Sequence, residues 1–163
     1  MIYLRPQPLT RSAFAPCGDV ITTDGAAHFA INAGTIERYH DLATVTLGEQ
    51  GRALISIATC NRTTVLPYRI PLVERHPLGS QAFIPLNTTP LLVVVAPPGD
   101  IPDIHQWQAF ISDGAQGVNY HPGVWHMPLI TPDPEQRFII VDRGGAGDNC
   151  EEYTLTQDVV VLA

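Results

Sequence analysis

One carboxylate and two imidazoles have types and spacing that could carry acid–base or metal chemistry. Glu74 and His76 are separated by a single residue, and His126 follows a turn later in the chain. If residues 66–76 form a strand, side chains alternate, so Glu74 and His76 project from one face while Arg75 projects from the other. Histidine titrates near neutral pH and a desolvated glutamate can be tuned toward it. We therefore predict a catalytic cluster of Glu74, His76 and His126.

The same residues resemble the two motifs of cupin barrels, in which a strand with histidines and a nearby glutamate faces a later histidine beyond a Pro-Gly hairpin. Pro122-Gly123 and His126 match the second motif. In the first motif, Glu74 takes the place of the first histidine, His76 that of the second, and Gln81 that of the usual glutamate. Such nitrogen and oxygen ligands suit a divalent transition metal such as Ni, Mn, Fe or Zn. The resemblance implies a metal held by Glu74, His76, Gln81 and His126.

Short strands are the elements that must position this cluster. Fifteen prolines and thirteen glycines separate short apolar runs along the whole chain, which is typical of many strands and turns. This pattern predicts an all-β barrel or sandwich, and the resemblance narrows it to a cupin-type β-barrel in one domain over residues 1–163. The predicted strands are residues 28–31, 54–59, 66–76, 81–86, 91–96, 107–112, 117–120, 125–129, 138–142 and 153–162.

Helix is predicted in one or two short segments only. Thr10 before the run Arg-Ser-Ala-Phe is typical of an N-cap and one helical turn, which Pro16 and Gly18 would end. Residues 36–49 could hold a second helix. Neither segment is long enough to change the predicted fold class.

Several other polar or aromatic residues have structural interpretations. His28 and His105 are best explained as hydrogen-bonded structural residues, since that is the common role of a lone histidine in a β protein. Trp107 and Trp125 are expected in the core rather than in a ligand platform. The Asp-Arg-Gly-Gly stretch at residues 142–145 could be an anion-binding turn or, equally, a surface ion pair in a flexible loop.

Charge and composition exclude several kinds of partner. The formal net charge is -7, and a basic face would be needed to bind nucleic acid or an anionic membrane. All nine basic residues are arginine, so a lysine Schiff base and a P-loop phosphate clamp are excluded. A small-molecule substrate is expected, and arginine suits a substrate carboxylate because its planar fork binds in a bidentate manner.

The apolar runs, the first ten residues and the cysteine pattern together predict a cytoplasmic protein. No apolar run approaches the roughly 20 residues that cross a bilayer, and the first ten residues lack the apolar stretch of a signal peptide. Cys17, Cys60 and Cys150 are odd in number and contain no CxxC pair, which indicates neither a disulfide framework nor a zinc knuckle. We expect them to be small buried hydrophobes.

Longer stretches of the chain resemble the ureidoglycolate lyase family of allantoin degradation. The likeness covers almost the whole chain and is specific in six blocks: GDVI from Gly18, INAGTIERYHDL from Ile31, ERHPLGSQAFIPL from Glu74, LLVVVAPPGD from Leu91, AFISDGAQGVNYHPGVWHMPL from Ala109 and VDRGGAGDNCEE from Val141. Two positions depart from the family pattern. Cys17 stands where an aromatic residue is common, and Met127 stands where a second histidine is common beside His126.

The resemblance implies a homodimer that cleaves (S)-ureidoglycolate to glyoxylate and urea, with a divalent metal, nickel, and no organic cofactor. Breakdown of this carbinolamide needs a base for its hydroxyl proton and an acid for the departing nitrogen. His76 or Glu74 could be the base, and His126 or a metal-bound water the acid, so the roles stay open.

A block of the chain that resembles the family supplies candidate substrate-binding residues. Arg38 is the first candidate for the substrate carboxylate, and Arg75 is the second because alternation turns it away from Glu74. Asn32, Tyr39 and His40 could bind the ureido amide, or could fix a loop or a dimer contact.

Two other functions remain as alternatives at this point. Two histidines and one carboxylate also form the facial triad of non-haem iron oxygenases, which would consume oxygen and depend on iron. A barrel that binds a small acid without converting it is the non-enzymatic alternative.

Overall fold

The computed structural model describes all residues, 1–163, and most of its regular structure is strand. The strands are β1 (Ile2–Leu4), β2 (Gln7–Pro8), β3 (Gly18–Ile21), β4 (His28–Ile31), β5 (Ile36–Tyr39), β6 (Gly51–Thr59), β7 (Tyr68–Arg69), β8 (Leu72–Arg75), β9 (Gln81–Pro85), β10 (Leu92–Ala96), β11 (Gln108–Ile111), β12 (Gly117–Tyr120), β13 (Trp125–His126), β14 (Arg137–Gly145), β15 (Glu151–Thr154) and β16 (Val159–Val161). Helix is limited to α1 (Arg11–Phe14) and two 3-10 turns, η1 (Asn32–Gly34) and η2 (Ile104–Gln106). None of these helical segments is long and apolar enough to span a membrane.

The strands form two large sheets and two small ones. The six-stranded sheet has the order β15-β8-β13-β10-β11-β2, and the five-stranded sheet has the order β3-β12-β9-β14-β6. A three-stranded sheet, β1-β16-β7, lies beside the first, while β4 and β5 pair only with each other. The predicted all-β class is confirmed, and the sheets are consistent with a cupin-like fold.

Strand β10 lies between the two cores of the protein. Val93 and Val95 belong to a cluster shared with Phe83, Val118 and Phe138 of the five-stranded sheet. Leu92, Val94 and Ala96 point the other way, into a cluster shared with residues of β1 and β16. An unbroken apolar run is what a strand with both faces buried requires. The inner face of the six-stranded sheet is therefore the face that meets the five-stranded sheet.

Most of the predicted elements are confirmed. The side chain of Thr10 accepts a hydrogen bond from the Ala13 backbone N–H and so caps α1. Strands β4 and β12 have the predicted bounds, residues 28–31 and 117–120. Trp107 and Trp125 are buried in the core, as expected.

Three predicted elements are wrong. Residues 36–49 hold no helix, since β5 occupies 36–39 and no regular element follows before residue 51. Residues 66–76 are two short strands, because Pro71 lacks the N–H that a continuous ladder needs. Residues 153–162 likewise separate into β15 and β16, which join different sheets.

The β4–β5 hairpin extends away from the body of the fold. Residues 27–30 and 32–41 are exposed, and β4 and β5 make substantial contact only with each other and with η1. Asn32 and Ala33 adopt positive φ angles of 51° and 55° at its turn. The hairpin is therefore largely uncovered within one chain.

Candidate active site

The predicted cluster lies on the inner face of the six-stranded sheet. His126 on β13 is directly opposite Glu74 on β8, and also opposite Val95 on β10. Residues paired directly across a ladder share a face, so all three point toward the five-stranded sheet. Gly123 makes the preceding turn with φ 77°, and its N–H donates to the His76 carbonyl at 2.9 Å. The Pro-Gly turn thereby joins the two stretches that carry the cluster.

The five-stranded sheet completes the site from the opposite side. Gln81 on β9 is paired with Tyr120 on β12, and the Gln81 side-chain amide donates to Asp142 Oδ2 at 3.3 Å. The Tyr120 ring stacks on the His126 ring with centroids 4.3 Å apart and planes 13° apart. The site is thus a polar slot between two sheets.

His126 presents one ring nitrogen that has no hydrogen-bond partner. Its Nδ1 lies 3.0 Å from the Val124 carbonyl oxygen, so this nitrogen carries the proton. Its Nε2 lies 3.3 Å from Glu74 Oε1, a contact that is an ion pair only when the ring is protonated, and this buried nitrogen has no hydrogen-bond partner. A lone pair on a buried nitrogen beside a carboxylate oxygen suits a metal ion or a substrate hydroxyl.

His76 is held by oxygen acceptors on both sides of its ring. Nδ1 is 2.6 Å from the Asn149 carbonyl oxygen, and Nε2 is 3.1 Å from Gln81 Oε1. Gln81 presents this oxygen because its amide nitrogen is turned toward Asp142. Because an oxygen acceptor faces each ring nitrogen, whichever nitrogen carries a proton can donate it in a hydrogen bond. His76 is therefore arranged as a proton donor.

Glu74 is kept charged by the two histidines. The contact with His126 holds the pKa of Glu74 below its ordinary value, and a positive charge on His126 or His76 acts in the same direction whenever either ring is protonated, while burial partly opposes this lowering. Burial in turn raises the pKa of Tyr120, reinforced by the charge of Glu74 and by Cys17. The site therefore combines a carboxylate, two imidazoles and a neutral phenol.

The lowered pKa of Glu74 predicts a pH-dependent contribution to stability. A carboxylate with a lowered pKa stabilises the fold fully above its unfolded pKa, about 4.3, and loses this contribution as the pH falls through the folded value. Urea unfolding of chelator-treated protein should therefore show Glu74→Gln less stable than wild type near neutral pH, with the gap narrowing at about pH 3.5. The exposed Glu135→Gln serves as the control. A gap that stays constant across this range would contradict the prediction.

The three possible ligands, one carboxylate and two imidazoles, fit a divalent metal. Glu74, His76 and His126 each offer one ligand atom, and these atoms lie within 4.8 Å of one another. The unpartnered Nε2 of His126 is the observation that favours a cation at this place. His76 Nε2 and Gln81 Oε1 face each other, so they become ligands only after this hydrogen bond opens.

Several residues of the site were not found in the sequence. Asn149 binds the His76 ring through its carbonyl and the Leu78 N–H through its side chain. Cys150 and Glu152 lie beside Glu74 as a second group of possible ligands. The expectation that all cysteines are buried is wrong for Cys150, which is exposed, while Cys60 is half-buried. These residues are far from Glu74 in sequence, and although they lie in the block from Val141 that resembles the family, nothing in that block assigns them a role.

Other predicted residues lie elsewhere. Asn32, Arg38, Tyr39 and His40 share the exposed β4–β5 hairpin and its turn, and no hydrogen bond, ion pair or ring contact joins them to the cluster within one chain. Arg75 points away from Glu74, as alternation predicted, and stacks on Trp125 with 4.6 Å to the ring centroid while pairing with Glu151.

The Asp-Arg-Gly-Gly stretch is neither of the structures considered for it. Residues 142–145 belong to β14, because their backbone pairs with β6 over the whole strand. The Arg143 side chain donates to the carbonyls of Leu47, Glu49 and Ala146. Its guanidinium therefore fixes the loop before β6 and is not free to bind an anion.

Fold and site together define an all-β protein with a carboxylate–histidine cluster suited to acid–base or metal-assisted chemistry on a small molecule. The family model "Ureidoglycolate lyase" matches residues 1–162. A ureidoglycolate lyase of Pseudomonas paraeruginosa is 52% identical over 160 residues, which cover 98% of this chain and 94% of the relative. One of Stutzerimonas stutzeri is 53% identical over 157 residues, covering 96% and 92%. The chain belongs to the ureidoglycolate lyase family.

Proposed function

We propose that this protein cleaves (S)-ureidoglycolate to glyoxylate and urea. The observation that carries the proposal is the pairing of an unpartnered acceptor, His126 Nε2, with a proton donor, His76, in one slot. The substrate hydroxyl loses its proton, a C=O bond forms at the same carbon, and the C–N bond to the ureido group breaks. The departing nitrogen takes up a proton and leaves as urea. One acceptor and one donor are all that this reaction requires.

The geometry favours one assignment of these roles. The substrate hydroxyl belongs beside His126 Nε2 and Glu74 Oε1, which are 3.3 Å apart. His126 takes the hydroxyl proton, and the adjacent Glu74 carboxylate stabilises the imidazolium that results. His76 Nε2 gives its proton to the departing nitrogen once Gln81 releases it. This order reverses the hypothesis in which His126 is the acid.

We propose a divalent metal at the same place as the alternative to this proton-transfer assignment, because a ring nitrogen that ligates a metal cannot also accept or donate a proton. Glu74, His76, Gln81 and His126 would hold it, and nickel is the metal that the family resemblance suggests. Such a metal would lower the pKa of a bound hydroxyl. Elemental analysis of the purified protein, followed by chelation and restoration with Ni²⁺, Mn²⁺ or Zn²⁺, identifies it. Full activity after complete chelation would contradict a required metal.

The reaction is tested by separate assays of the three possible products. Purified protein is incubated with racemic ureidoglycolate, and glyoxylate, urea and ammonia are measured independently. Equal amounts of glyoxylate and urea, from half of the racemate, are the expected result. Ammonia without urea would indicate an amidohydrolase, and no product at all would contradict an enzymatic role with this substrate.

Asp142 is expected to act through Gln81 and His76. In Asp142→Leu, the Gln81 amide loses its acceptor and can turn its nitrogen toward His76 Nε2, which then can no longer donate. Loss of such an orienting partner typically costs about 10- to 100-fold in activity or metal affinity. The loss should appear in kcat and move its pH profile, while Asp142→Asn should retain more activity. Wild-type kcat in a folded Asp142→Leu protein would contradict this role.

We also propose that the protein is a homodimer through the outer face of the five-stranded sheet. On this face Ile55 and Ile57 of β6 are 79% and 62% exposed, opposite Val141 and Ile139 of β14. Large exposed apolar patches are uncommon on monomeric proteins. The uncovered β4–β5 hairpin could then reach the second copy, which gives Asn32, Arg38, Tyr39 and His40 a route to a substrate site.

A substitution that introduces one charge on this face tests the proposed dimer. Light scattering with size-exclusion chromatography should give wild type twice the chain mass of 17.7 kDa. Ile57→Glu should shift the protein toward the monomer, because a buried unpaired charge opposes association. Ile101→Glu is the matched control, since Ile101 is 64% exposed in a loop outside this sheet. A monomeric wild type would contradict the proposal.

The expected cytoplasmic location remains a prediction. Three free cysteines, one of them exposed, are more compatible with a reducing compartment than with an oxidising one.

A further inference from the structure

The site is surrounded by carboxylates, although its proposed substrate is an anion. Glu74 and Glu152 face the slot from the six-stranded sheet, where they are paired across the ladder, and Asp142 faces it from the other sheet. A substrate carboxylate in this region is repelled unless a cation, either the proposed metal or a basic side chain, offsets these negative charges. Because the chain has no lysine, the cation on the protein must be histidine or arginine.

Most arginines cannot serve in this role. Four of the nine already bind protein acceptors through their guanidinium groups, namely Arg11, Arg69, Arg75 and Arg143. The five without such a partner are Arg5, Arg38, Arg52, Arg62 and Arg137.

These five arginines differ in how near their positions in the fold are to the cluster. Arg5 follows β1 and lines surface cavities with Leu162, while Arg62 follows the far end of β6. Arg137 is opposite Thr59, at the end of β14 remote from Asp142. Arg38 is on the hairpin, which has no contact with the cluster of its own chain and could reach only the site of a second copy. Arg52 alone is on a strand beside Asp142.

The strand register places Arg52 on the face of the sheet that carries Gln81 and Asp142. Leu54 is opposite Asp142, and Arg52 is opposite Gly144, two residues further along each strand. Residues separated by two positions lie on the same face, and such diagonal neighbours are about 7–8 Å apart, within reach of a long side chain. Arg52 is therefore an exposed residue on the same face as Asp142, on β6, the last strand of its sheet.

We propose that Arg52 binds the carboxylate of the substrate, an inference that rests on the proposed function. The exposed guanidinium has no partner in the protein and can hold both carboxylate oxygens in its planar fork. This contact orients the carbinol carbon toward Glu74, His76 and His126. Arg52 is thus a substrate-binding residue that neither the cupin motifs nor the strand pattern indicated.

Arg52→Gln should raise KM for ureidoglycolate by about 10- to 100-fold with little change in kcat, since a charge-assisted contact present throughout the reaction is lost. Arg52→Lys should recover part of the effect, because the charge returns without the fork. Arg62→Gln removes an unpartnered arginine beyond the other end of β6 and should leave KM unchanged. Wild-type KM in Arg52→Gln would overturn the inference and leave the proposed lyase reaction standing.

Calorimetry separates this inference from the reaction itself. Glyoxylate carries the carboxylate, whereas hydroxymethylurea resembles the substrate without it. Arg52→Gln should weaken binding of glyoxylate by about 10-fold or more and leave binding of hydroxymethylurea unchanged. This measurement needs no turnover, so it tests Arg52 even in a protein that forms no product. Equal weakening of both ligands, or of neither, would overturn the assignment of Arg52 to the carboxylate.

Discussion

His126→Asn should lower kcat/KM for ureidoglycolate by about 10²- to 10⁴-fold, the range expected for loss of a positioned acid–base group. Asparagine can keep a donor near the Val124 carbonyl, which Nδ1 now contacts at 3.0 Å, but it has no atom equivalent to Nε2. The acceptor beside Glu74 is thereby removed while much of the buried environment is preserved. Initial rates of glyoxylate and urea formation provide the measurement.

The interpretation depends on the variant being folded. His126 is buried and stacks on Tyr120, so thermal unfolding of the variant should be compared with that of wild type. His105→Asn is the control, since His105 is exposed on η2 and should leave the rate unchanged. A folded His126→Asn protein with nearly wild-type activity would remove His126 from the reaction.

The positions of strands and helices were predictable where neighbouring residues alone determine the local structure, as in a strand buried on both faces or a helix that begins at a capping residue. The apolar run that became β10 and the Thr10 cap of α1 depend on neighbouring residues only. The prediction of one strand over residues 66–76 is wrong because Pro71 interrupts a strand only where a neighbouring strand needs its missing N–H. That need depends on strand pairing, which is a tertiary contact. Residues 36–49 failed as a helix because the pairing of β5 with β4 is a tertiary contact.

The candidate site was predictable to the extent that its residues share a strand or a recognisable turn. Alternation placed Glu74 and His76 together, and the Pro122-Gly123 turn drew attention to His126. Asn149 and Asp142 contact these residues across more than sixty positions of sequence. Local patterns contain no information on such contacts, so these residues required the structure.

Arg38 and Arg52 illustrate the same limit for substrate binding. Arg38 is a candidate because its block of sequence resembles the family, yet that block forms a hairpin away from the slot in one chain. Arg52 is near the slot because nine residues of β6 pair with β14 in one register. Register is set by the whole sheet, so it could not be read from residues 51–59 alone.

Glu74→Gln should lower activity by at least about 100-fold, the lower range for loss of an acid–base group. The amide has nearly the same shape as the carboxylate, so the change removes charge and leaves packing in place. Without that charge, an imidazolium on His126 loses its nearest counter-charge, at 3.3 Å. The substrate hydroxyl proton then has a poorer acceptor.

The same substitution distinguishes a metal ligand from an electrostatic partner. If Glu74 ligates a metal, elemental analysis should give Glu74→Gln less bound metal than wild type, and added Ni²⁺ should restore part of the activity. If Glu74 acts only on His126, metal content stays the same and the pH profile of kcat shifts instead. Glu135→Gln controls for loss of one exposed carboxylate. Unchanged activity, metal content and pH profile together would show that Glu74 has neither role, and would leave His76 and His126 as the only reacting side chains of the cluster.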